Sequence, residues 1–212
     1  MNLFSFLPET LDEFESKELE SLKLNLSNAD VEYFPEFFTK EESDRFYKSL
    51  YKNTPWKQDS IKIYGKEIPL PRLTAWYGNA DLGYTYSGIQ MKPHPWTDEL
   101  LEIKFRVEEI ACVDFTSVLL NLYRTGSDGV AWHADDEKEL GENPVIGSVS
   151  FGAARSFQLK NKENPNLKAK LELGHGSFLL MQGGTQHHWL HQVPKTSKDV
   201  QPRINLTFRI IQ

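Results

Sequence analysis

The chain has 212 residues, of which 39% are hydrophobic and 12% aromatic, and a formal net charge of −6. This length predicts one domain with a sizeable core, and no apolar run is long enough to span a bilayer. The single cysteine, Cys112, excludes an intrachain disulfide and favours a reducing compartment. The start of the chain also lacks the basic region and long apolar core of a secretory signal. An intracellular protein, cytoplasmic or nuclear, is therefore expected.

Acidic residues are concentrated at the start of the chain. Residues 1–30 contain seven acidic residues and two lysines, so the remaining residues carry a net charge of only −1. Residues 1–30 are therefore predicted to be an acidic N-terminal lead-in, and residues 31–212 a single domain. Local basic clusters at 57–72, 160–170 and 195–198 favour modest, salt-sensitive contacts with phosphates.

The first half of the domain is predicted to combine helices with hairpins. Thr39 and Glu42 have the spacing of a capping box, which starts a helix that extends to about Tyr51. Further elements before residue 114 are a strand and turn at Val31–Phe38, strands and hairpins at 59–86, and a second helix at Pro95–Val107 that can continue to Ile110.

From residue 114 onward the pattern is typical of a β-rich fold. Short apolar strands alternate with polar turns, at Phe115–Tyr123, Val145–Phe151, Arg155–Leu159, Lys168–Leu173, Ser177–Met181, His187–Gln192 and Arg203–Ile211. Many short strands in succession predict a sandwich or a barrel. The predicted fold class is therefore mainly β with flanking helices (α+β).

His133 and Asp135 are candidate metal ligands because one residue separates them. In an extended segment, residues i and i+2 point to the same side, so an imidazole nitrogen and a carboxylate oxygen can reach one ion. Two histidines and one carboxylate, with other positions open, are the ligands of non-haem Fe(II) oxygenases. Taken alone, the pair also fits a solvated turn in the acidic run 135–139.

A third ligand has to come from another part of the chain. The candidates are the remaining histidines, His94, His175, His187, His188 and His191. If 186–192 is a strand, alternation places His187 and His191 on one face and His188 on the other. The residues alone leave this choice open.

The last predicted strand has a polar face with two cationic groups. Its members recur at period two and are Arg203, Asn205, Thr207 and Arg209. Guanidinium groups bind carboxylates through paired donors, so this face suits a dicarboxylate. Asn121 and Tyr123 share a face at the end of an earlier strand and can add hydrogen bonds to the same ligand. An antiparallel strand with one wet face shows the same alternation.

Taken together, these stretches resemble the AlkB family of Fe(II)- and 2-oxoglutarate-dependent dioxygenases, which remove methyl groups from alkylated nucleobases. The matching stretches follow the family's order and are PRLTAWYG (71–78), YTYSG (84–88), NLY (121–123), WHADDE (132–137), SVSFGA (148–153), HGS (175–177), HQVP (191–194) and PRINLTFR (202–209). The sequence is most similar to the members that act on DNA bases. The resemblance implies a double-stranded β-helix (jelly-roll) core with an N-terminal nucleotide-recognition lid at 59–88.

The resemblance also implies cofactors and roles for individual residues. The matched iron ligands are His133, Asp135 and His191, and the matched 2-oxoglutarate contacts are Asn121, Tyr123, Arg203 and Arg209, with Asn205 and Thr207 in support. Arg203 corresponds to the partner of the distal carboxylate, and Arg209 lies near the end that chelates iron. The implied cofactors are Fe(II), 2-oxoglutarate and O2. The implied reaction couples 2-oxoglutarate decarboxylation to hydroxylation of an N-methyl group, with release of formaldehyde.

Candidate contacts with the substrate base follow from its charge. 1-Methyladenine and 3-methylcytosine are cationic at neutral pH, and a cation is favoured over aromatic faces and near carboxylates. By resemblance, Tyr86 and His133 sandwich the base, and Tyr84 and Glu137 contact its edge. Asp136 adds a neighbouring carboxylate. The tyrosine pair also fits ordinary strand packing.

The segment around residues 61–66 is a candidate base-flipping finger. In the duplex-acting members that the chain resembles, a hairpin at this point places an apolar residue into the base stack, from which a target base must be extruded. Ile63 and Tyr64 occupy that place, and Lys66 and Arg72 can neutralise flanking phosphates. A plain surface hairpin is the alternative, because Tyr64, Gly65 and Lys66 form a good turn sequence.

Three other functions remain compatible with parts of this pattern. The same chemistry on RNA is the main alternative, because telling RNA from DNA depends on contacts to the 2′-hydroxyl. Hydroxylation of a protein or lipid would keep the fold, but the tyrosine and carboxylate pairs argue against it. The intact ligand set argues against a silent binding module. The expected partner is alkylated DNA, with RNA as the alternative, and a monomer without membrane contact is expected.

Overall fold

The computed structural model describes residues 19–63, 66–82, 84–86 and 89–212, with the backbone alone for 61–63, 84–86 and 89–91. Strands and helices are numbered in chain order. The large antiparallel sheet contains, in spatial order, β1 (Leu22–Lys23), β2 (Asp30–Phe34), β13 (Ser177–Gln182), β10 (Ile146–Gly152), β15 (Arg203–Arg209), β8 (Ser117–Tyr123) and β5 (Leu73–Gly78). The small antiparallel sheet contains β12 (Lys168–Leu173), β11 (Arg155–Asn161), β14 (Trp189–Val193) and β9 (Val130–His133).

Two hairpins and three helices complete the described part of the chain. The hairpins are β3 (Ser60–Ile63) with β4 (Lys66–Pro69), and β6 (Tyr84–Tyr86) with β7 (Ile89–Met91). The helices are α1 (Lys40–Asn53), α2 (Asp98–Ala111) and the short α3 (Thr185–His188), and a 3-10 turn lies at Lys138–Leu140. Within the described residues, no helix combines the length and the apolar character needed to cross a membrane.

The two faces of the large sheet bury different sets of side chains. One face packs against α1 and α2 through a core that includes Phe46 and Ile103 from the helices and Phe208 from β15. The other face packs against the small sheet, where Met181 of β13 meets Trp189 of β14 in a second core. The predicted mainly β jelly-roll with flanking helices is confirmed.

The predicted alternation of the last strand is confirmed as well. Ile204, Leu206 and Phe208 lie in the core under the helices, whereas Arg203 and Asn205 face the space between the sheets. In the register of β15 and β8, Arg203 lies opposite Tyr123 and Asn205 lies opposite Asn121. Because side chains alternate along both strands, the polar groups of β8 and β15 point into the same space.

The capping box of α1 is present as predicted. The hydroxyl of Thr39 accepts from the backbone N–H of Glu42 at 3.2 Å, and the Glu42 carboxylate accepts from the N–H of Thr39 at 2.8 Å. The second helix begins at Asp98, three residues later than predicted. Thr97 caps it by accepting from the backbone N–H of Leu100 at 3.3 Å, so residues 95–97 precede the helix instead of opening it.

The strand predicted at His187–Gln192 is wrong at its beginning. Residues 185–188 form the helical turn α3, and the strand starts at Trp189. The hydroxyl of Thr185 donates to the carbonyl of Gln182 at 2.6 Å, and the backbone N–H of His187 and of His188 donates to the carbonyl of Gly184. These bonds hold the turn, so strand alternation does not apply to His187 and His188.

Both hairpins start from β5, the edge strand of the large sheet. Lys57, just before β3, exchanges backbone hydrogen bonds with Thr74, and His94, just after β7, bonds to the carbonyl of Trp76. Both hairpins are therefore attached to β5, the neighbour of β8. Residues 1–18 of the predicted acidic lead-in lie outside the described residues, and the strand β1 places Leu22 and Lys23 in the large sheet.

Candidate active site

Three metal-binding side chains come together between the sheets. His133 ends β9, Asp135 follows two residues later, and His191 lies on the neighbouring strand β14, directly opposite His133 in the register. One donor atom from each of the three lies within 4.8 Å of the other two. Asp135 and His191 are buried. Pairing between β9 and β14 therefore assembles the donors, and the structure selects His191 from the histidines that the sequence left open.

Hydrogen bonds orient two of these donors. Nδ1 of His133 lies 2.8 Å from the backbone carbonyl of Ala131. Since a carbonyl only accepts, Nδ1 carries the proton and the lone pair of Nε2 is available to a metal. The backbone N–H of Asp135 donates to the side-chain carbonyl of Gln186 at 2.9 Å, and Nη2 of Arg209 donates to Oδ1 of Asp135 at 2.6 Å.

The surroundings keep Asp135 and His191 in the protonation states that a metal needs. Burial lowers the pKa of His191 to about 4, although the charge of Asp135 opposes the shift. Burial alone would raise the pKa of the Asp135 carboxyl, but Arg209, with help from the two histidines, reverses the effect and holds that pKa below its usual value. At neutral pH the site offers a neutral imidazole and a carboxylate. Two imidazoles and one carboxylate fit Fe(II).

Two further candidate histidines lie elsewhere. His175 accepts from the backbone N–H of Gly152 at 2.9 Å and its Nε2 lies 3.1 Å from Asp44 Oδ1. His94 is exposed beside Tyr77. Both side chains lie outside the donor cluster.

A narrow cavity of about 60 Å³ joins the metal donors to the polar face of β15. Its lining includes every residue predicted to contact 2-oxoglutarate, namely Asn121, Tyr123, Arg203, Asn205, Thr207 and Arg209. Arg203 is fully buried there, and its Nη2 donates to Ser150 Oγ at 2.8 Å. Its Nε and Nη1 have no hydrogen-bond partner among the described residues. Buried guanidinium donors of this kind require an anion.

The wall of this cavity is held by its own hydrogen bonds. Nδ2 of Asn205 donates to Ser148 Oγ at 2.9 Å and to the carbonyl of Val149 at 3.0 Å, and Thr207 donates to Asn205 Oδ1 at 3.1 Å. Asn205 and Thr207 therefore support the wall. No role was predicted for Ser148 and Ser150. Residues two apart on a strand share a face, so the sequence does indicate that both hydroxyls of β10 point to the same side.

Arg72, predicted to contact phosphates beside the hairpin, lines this cavity. Its Nε donates to Asn121 Oδ1 at 2.8 Å, and its side chain lines the same space as Arg203. The reason is its position directly before β5, because β5 pairs with β8 and so brings residue 72 beside Asn121. The hairpin itself is present: Ile63 pairs with Lys66, which is exposed.

A larger cavity of about 640 Å³ adjoins the narrow one and shares Leu119 and Arg209 with it. Trp76 and Ile211 supply apolar surface. The charged lining residues are three carboxylates and three cations, namely Asp59, Glu137, Glu139, Lys57, Lys92 and Arg209. Glu137 is thus placed beside the candidate metal site. Asp136 is exposed and pairs with Lys162 at 3.0 Å.

Some predicted contacts lie outside what the structure describes. Tyr64 and Gly65 are not among the described residues. Ile63, Tyr84 and Tyr86 are placed by their backbone alone, at the end of β3 and on β6. Gln186 was missed by the sequence reasoning, and its position beside Asp135 depends on a tertiary contact that no local pattern indicates.

Comparison with known proteins agrees with this geometry. A profile of the 2OG-Fe(II) oxygenase superfamily matches residues 30–209. The solved structure of OsALKBH1 superposes with a TM-score of 0.63 over 84% of this chain and 97% of that chain, at 17% identity, which supports the fold alone.

Two curated relatives from mouse extend the comparison. Alpha-ketoglutarate-dependent dioxygenase alkB homolog 3 is 44% identical over 187 residues, which cover 84% of this chain and 65% of the relative. The match thus spans just under two thirds of that protein's length. DNA oxidative demethylase ALKBH2 is 37% identical over 184 residues, which cover 82% of this chain and 77% of the relative. This chain therefore belongs to the AlkB family of the 2OG-Fe(II) oxygenase superfamily.

Proposed function

We propose that this protein is an Fe(II)- and 2-oxoglutarate-dependent oxidative demethylase that repairs N-alkylated bases in DNA. The observation that carries the proposal is the fully buried guanidinium of Arg203. Two of its nitrogens, Nε and Nη1, have no partner among the described residues, in a cavity that also holds His133, Asp135 and His191. This arrangement fits a dicarboxylate that reaches a metal ion with one end and an arginine with the other.

The proposed metal ligands are His133 Nε2, Asp135 and His191. Three protein ligands leave positions open for a co-substrate and for O2. Bound iron and 2-oxoglutarate would supply the oxidant, with succinate and CO2 as the other products, since such chemistry belongs to the cofactors. The chain's contribution is the orientation of the donors by Ala131 and Gln186 and the charge of Arg209 beside Asp135.

The proposed co-substrate contacts are divided between the two ends of the cavity. Arg203 binds the distal carboxylate, together with the hydroxyl of Ser150 to which it already donates. Arg209 lies at the metal end, and its Nε is another buried donor without a partner among the described residues. Asn121 and Tyr123 line the space between the sheets. Asn205 and Thr207 keep that wall rigid, which is what precise positioning needs.

The proposed site for the base is the 640 Å³ cavity beside Arg209. A base that is methylated at N1 of adenine or N3 of cytosine is a cation, and the carboxylates of Glu137 and Glu139 favour it, whereas Asp59 is already paired with Lys57 at 3.1 Å. We assign the flanking aromatic contacts to Tyr84 and Tyr86 from β6, with His133 on the opposite side of the base. Asp136, predicted as a further base contact, is paired with Lys162 and is not among the residues that line this cavity. These assignments make the cavity selective for methylated, charged bases over neutral ones.

The proposed reaction hydroxylates the methyl carbon on the base nitrogen. The resulting hydroxymethyl group leaves as formaldehyde when its C–N bond breaks, the bonding electrons return to the base nitrogen, and the hydroxyl proton passes to solvent. The positive charge of the base is lost in this step. The carboxylates of Glu137 and Glu139 then no longer favour the repaired base, which helps its release.

Formaldehyde release tests this proposal. Wild-type protein with Fe(II), 2-oxoglutarate and ascorbate is incubated with oligonucleotides that carry 1-methyladenine or 3-methylcytosine, as DNA and as RNA, single and double stranded. Formaldehyde and succinate are expected in equal amounts with DNA, and neither with His133→Ala. More formaldehyde from RNA would overturn the choice of polymer. Succinate without formaldehyde would overturn the substrate and keep the oxygenase.

A further inference from the structure

The outer face of the small sheet carries a row of lysines that the proposed active site does not use. Along β11, β12 and β14, side chains alternate between the core and the outside, and His191 and Leu159 point inward. The outward set includes Gln158, Lys160, Lys168, Lys170, Leu190 and Gln192. In a chain of net charge −6, this is a local concentration of positive charge.

Two of these lysines stand in an unfavourable arrangement. Lys160 of β11 lies directly opposite Lys168 of β12 in the strand register. Like charges directly opposite each other destabilise a sheet. The described residues of this face include one lysine–carboxylate pair, Lys170 with Glu172 at 3.1 Å. A feature that lowers stability in the free protein points to a role with a ligand, here an anionic one.

An aromatic ring lies beside the lysines. Trp132 is partly exposed, and Nζ of Lys160 lies 4.4 Å from the centroid of its ring. Trp132 lines a depression of about 370 Å³ together with Lys168 and Lys170. A second depression, of about 310 Å³, continues from Lys170 to Lys195 and Lys198. We call the surface formed by Trp132, Lys160, Lys168, Lys170, Lys195 and Lys198 the lysine face.

The lysine face begins next to the proposed active site. Trp132 directly precedes the metal-ligand candidate His133, and both lie on β9, the edge strand of the small sheet. At the same end of the sheet, Lys162 bonds to Asp136 at 3.0 Å and to the carbonyl of Gln186 at 2.9 Å. A flexible polymer that leaves the active site can therefore pass around the edge strand β9 to the outer side of the sheet and reach Lys160.

We propose that the lysine face binds single-stranded DNA that flanks the base held in the active site. Lysines paired with an aromatic ring are what single-strand binding uses, because the lysines contact phosphates and any base can stack on the ring, here in the place that Lys160 takes over Trp132. The metal ligands and the lysine face lie on opposite sides of one sheet, so the bound strand has to bend sharply. A single strand can do so, whereas a duplex is stiff over this distance. The identity of the polymer rests on the proposed function.

The test compares three charge removals on this face with three elsewhere. The test variant is Lys160→Gln with Lys168→Gln and Lys170→Gln. The control is Lys40→Gln with Lys48→Gln and Lys52→Gln on α1, a helix that packs against the opposite side of the large sheet. Each protein is titrated with a long single-stranded DNA over a range of salt concentrations, and demethylation of a methylated trinucleotide is measured in parallel.

Each lost lysine–phosphate contact lowers the salt slope by about 0.7. The test variant should therefore lose about 2 from the slope and roughly 100-fold in affinity in 0.1 M salt, with wild-type turnover of the trinucleotide. Its melting temperature should not fall, because an opposed pair of like charges has been removed. The proposal would be overturned if the test variant kept the affinity and the salt slope of the control. It would also be overturned if the same titration with duplex DNA showed an equal loss of affinity. Lysine-dependent binding without any demethylation by the wild type would overturn the proposed function and leave the lysine face intact.

Discussion

Nη2 of Arg209 donates a 2.6 Å hydrogen bond to Oδ1 of Asp135, so one residue of the proposed co-substrate wall also holds a proposed metal ligand. The Asp135 side chain is 3% exposed, and Arg209 borders both cavities of the site. Mutation of a residue that holds a metal ligand by a hydrogen bond typically lowers metal affinity by about 10- to 100-fold. Binding of the metal and binding of 2-oxoglutarate should therefore depend on each other through this pair.

The first prediction concerns Arg209→Gln. The substitution removes the cation beside Asp135 and should weaken metal binding by about 10- to 100-fold. Titration of the metal-free protein with Co(II), followed by its absorption spectrum, measures this affinity. Arg209→Lys keeps the charge but loses the fixed guanidinium geometry. Its metal affinity should lie between those of the wild type and Arg209→Gln. Wild-type affinity in Arg209→Gln would contradict the coupling.

The second prediction concerns Arg203→Met. Loss of a buried charge partner weakens ligand binding by about 2–5 kcal/mol, so the 2-oxoglutarate concentration that half-saturates turnover should rise at least about 30-fold. The melting temperature without ligand should not fall, because the buried guanidinium is only partly compensated in the free protein. Thermal shifts with and without 2-oxoglutarate measure both effects. An unchanged requirement for 2-oxoglutarate would exclude Arg203 from that role.

The third prediction separates two roles for Arg72. Its 2.8 Å bond to Asn121 links it to the co-substrate cavity, whereas its place in the sequence suggested a phosphate contact. Arg72→Ala should raise the KM for 2-oxoglutarate severalfold and leave the salt dependence of DNA binding unchanged. Lys66→Ala, an exposed cation at the hairpin, is the matched control and should do the reverse. A lower salt slope in Arg72→Ala would restore the phosphate role.

The fourth prediction concerns the proposed finger between β3 and β4. Ile63→Ala with Tyr64→Ala removes the apolar groups that would fill the gap left by a flipped base. Repair of a methylated base in duplex DNA should fall by tenfold or more, while repair of the single strand changes little. Leu101→Ala, an exposed apolar residue on α2, is the control. Equal losses on both substrates would remove the finger from the account.

The fifth prediction concerns pH and follows from His191. Burial lowers the pKa of His191 to about 4 in the folded protein, from about 6.5 in an unfolded chain. The folded state then binds this proton less readily than the unfolded state does. This contribution to stability is complete above pH 6.5 and is lost as the pH falls toward 4, by about 3 kcal/mol in all. Urea unfolding of the metal-free protein between these pH values should show the loss, and His191→Asn should lack it. If the free energy of unfolding changed with pH in the same way in the wild type and in His191→Asn, this origin of the loss would be contradicted.

The alternating patterns were sufficient to predict the central strands. Arg203 and Asn205 face the cavity because strand alternation leaves no other choice once residues 204, 206 and 208 are apolar. The capping residues Thr39 and Glu42 likewise determine where α1 begins. These features depend on neighbours in the sequence, and for that reason they could be predicted locally.

The features that were missed depend on contacts between distant segments. Arg72 reaches Asn121 only because β5 pairs with β8, and Gln186 reaches Asp135 across 51 positions of the chain. The turn at 185–188 replaces part of a predicted strand because the hydroxyl of Thr185 also accepts from the backbone N–H of Asp30 at 2.9 Å, 155 positions away. Tertiary hydrogen bonds of this kind override a local strand pattern.

Mass spectrometry of a methylated DNA strand detects removal of the methyl group itself. A single-stranded oligonucleotide with one 1-methyladenine is incubated with protein, Fe(II), 2-oxoglutarate and ascorbate, and its mass is compared with that after incubation with His133→Ala. We expect the wild type to remove the methyl group and His133→Ala to leave the strand unchanged. An unchanged methylated strand with the wild type, under conditions in which 2-oxoglutarate is consumed, would contradict it.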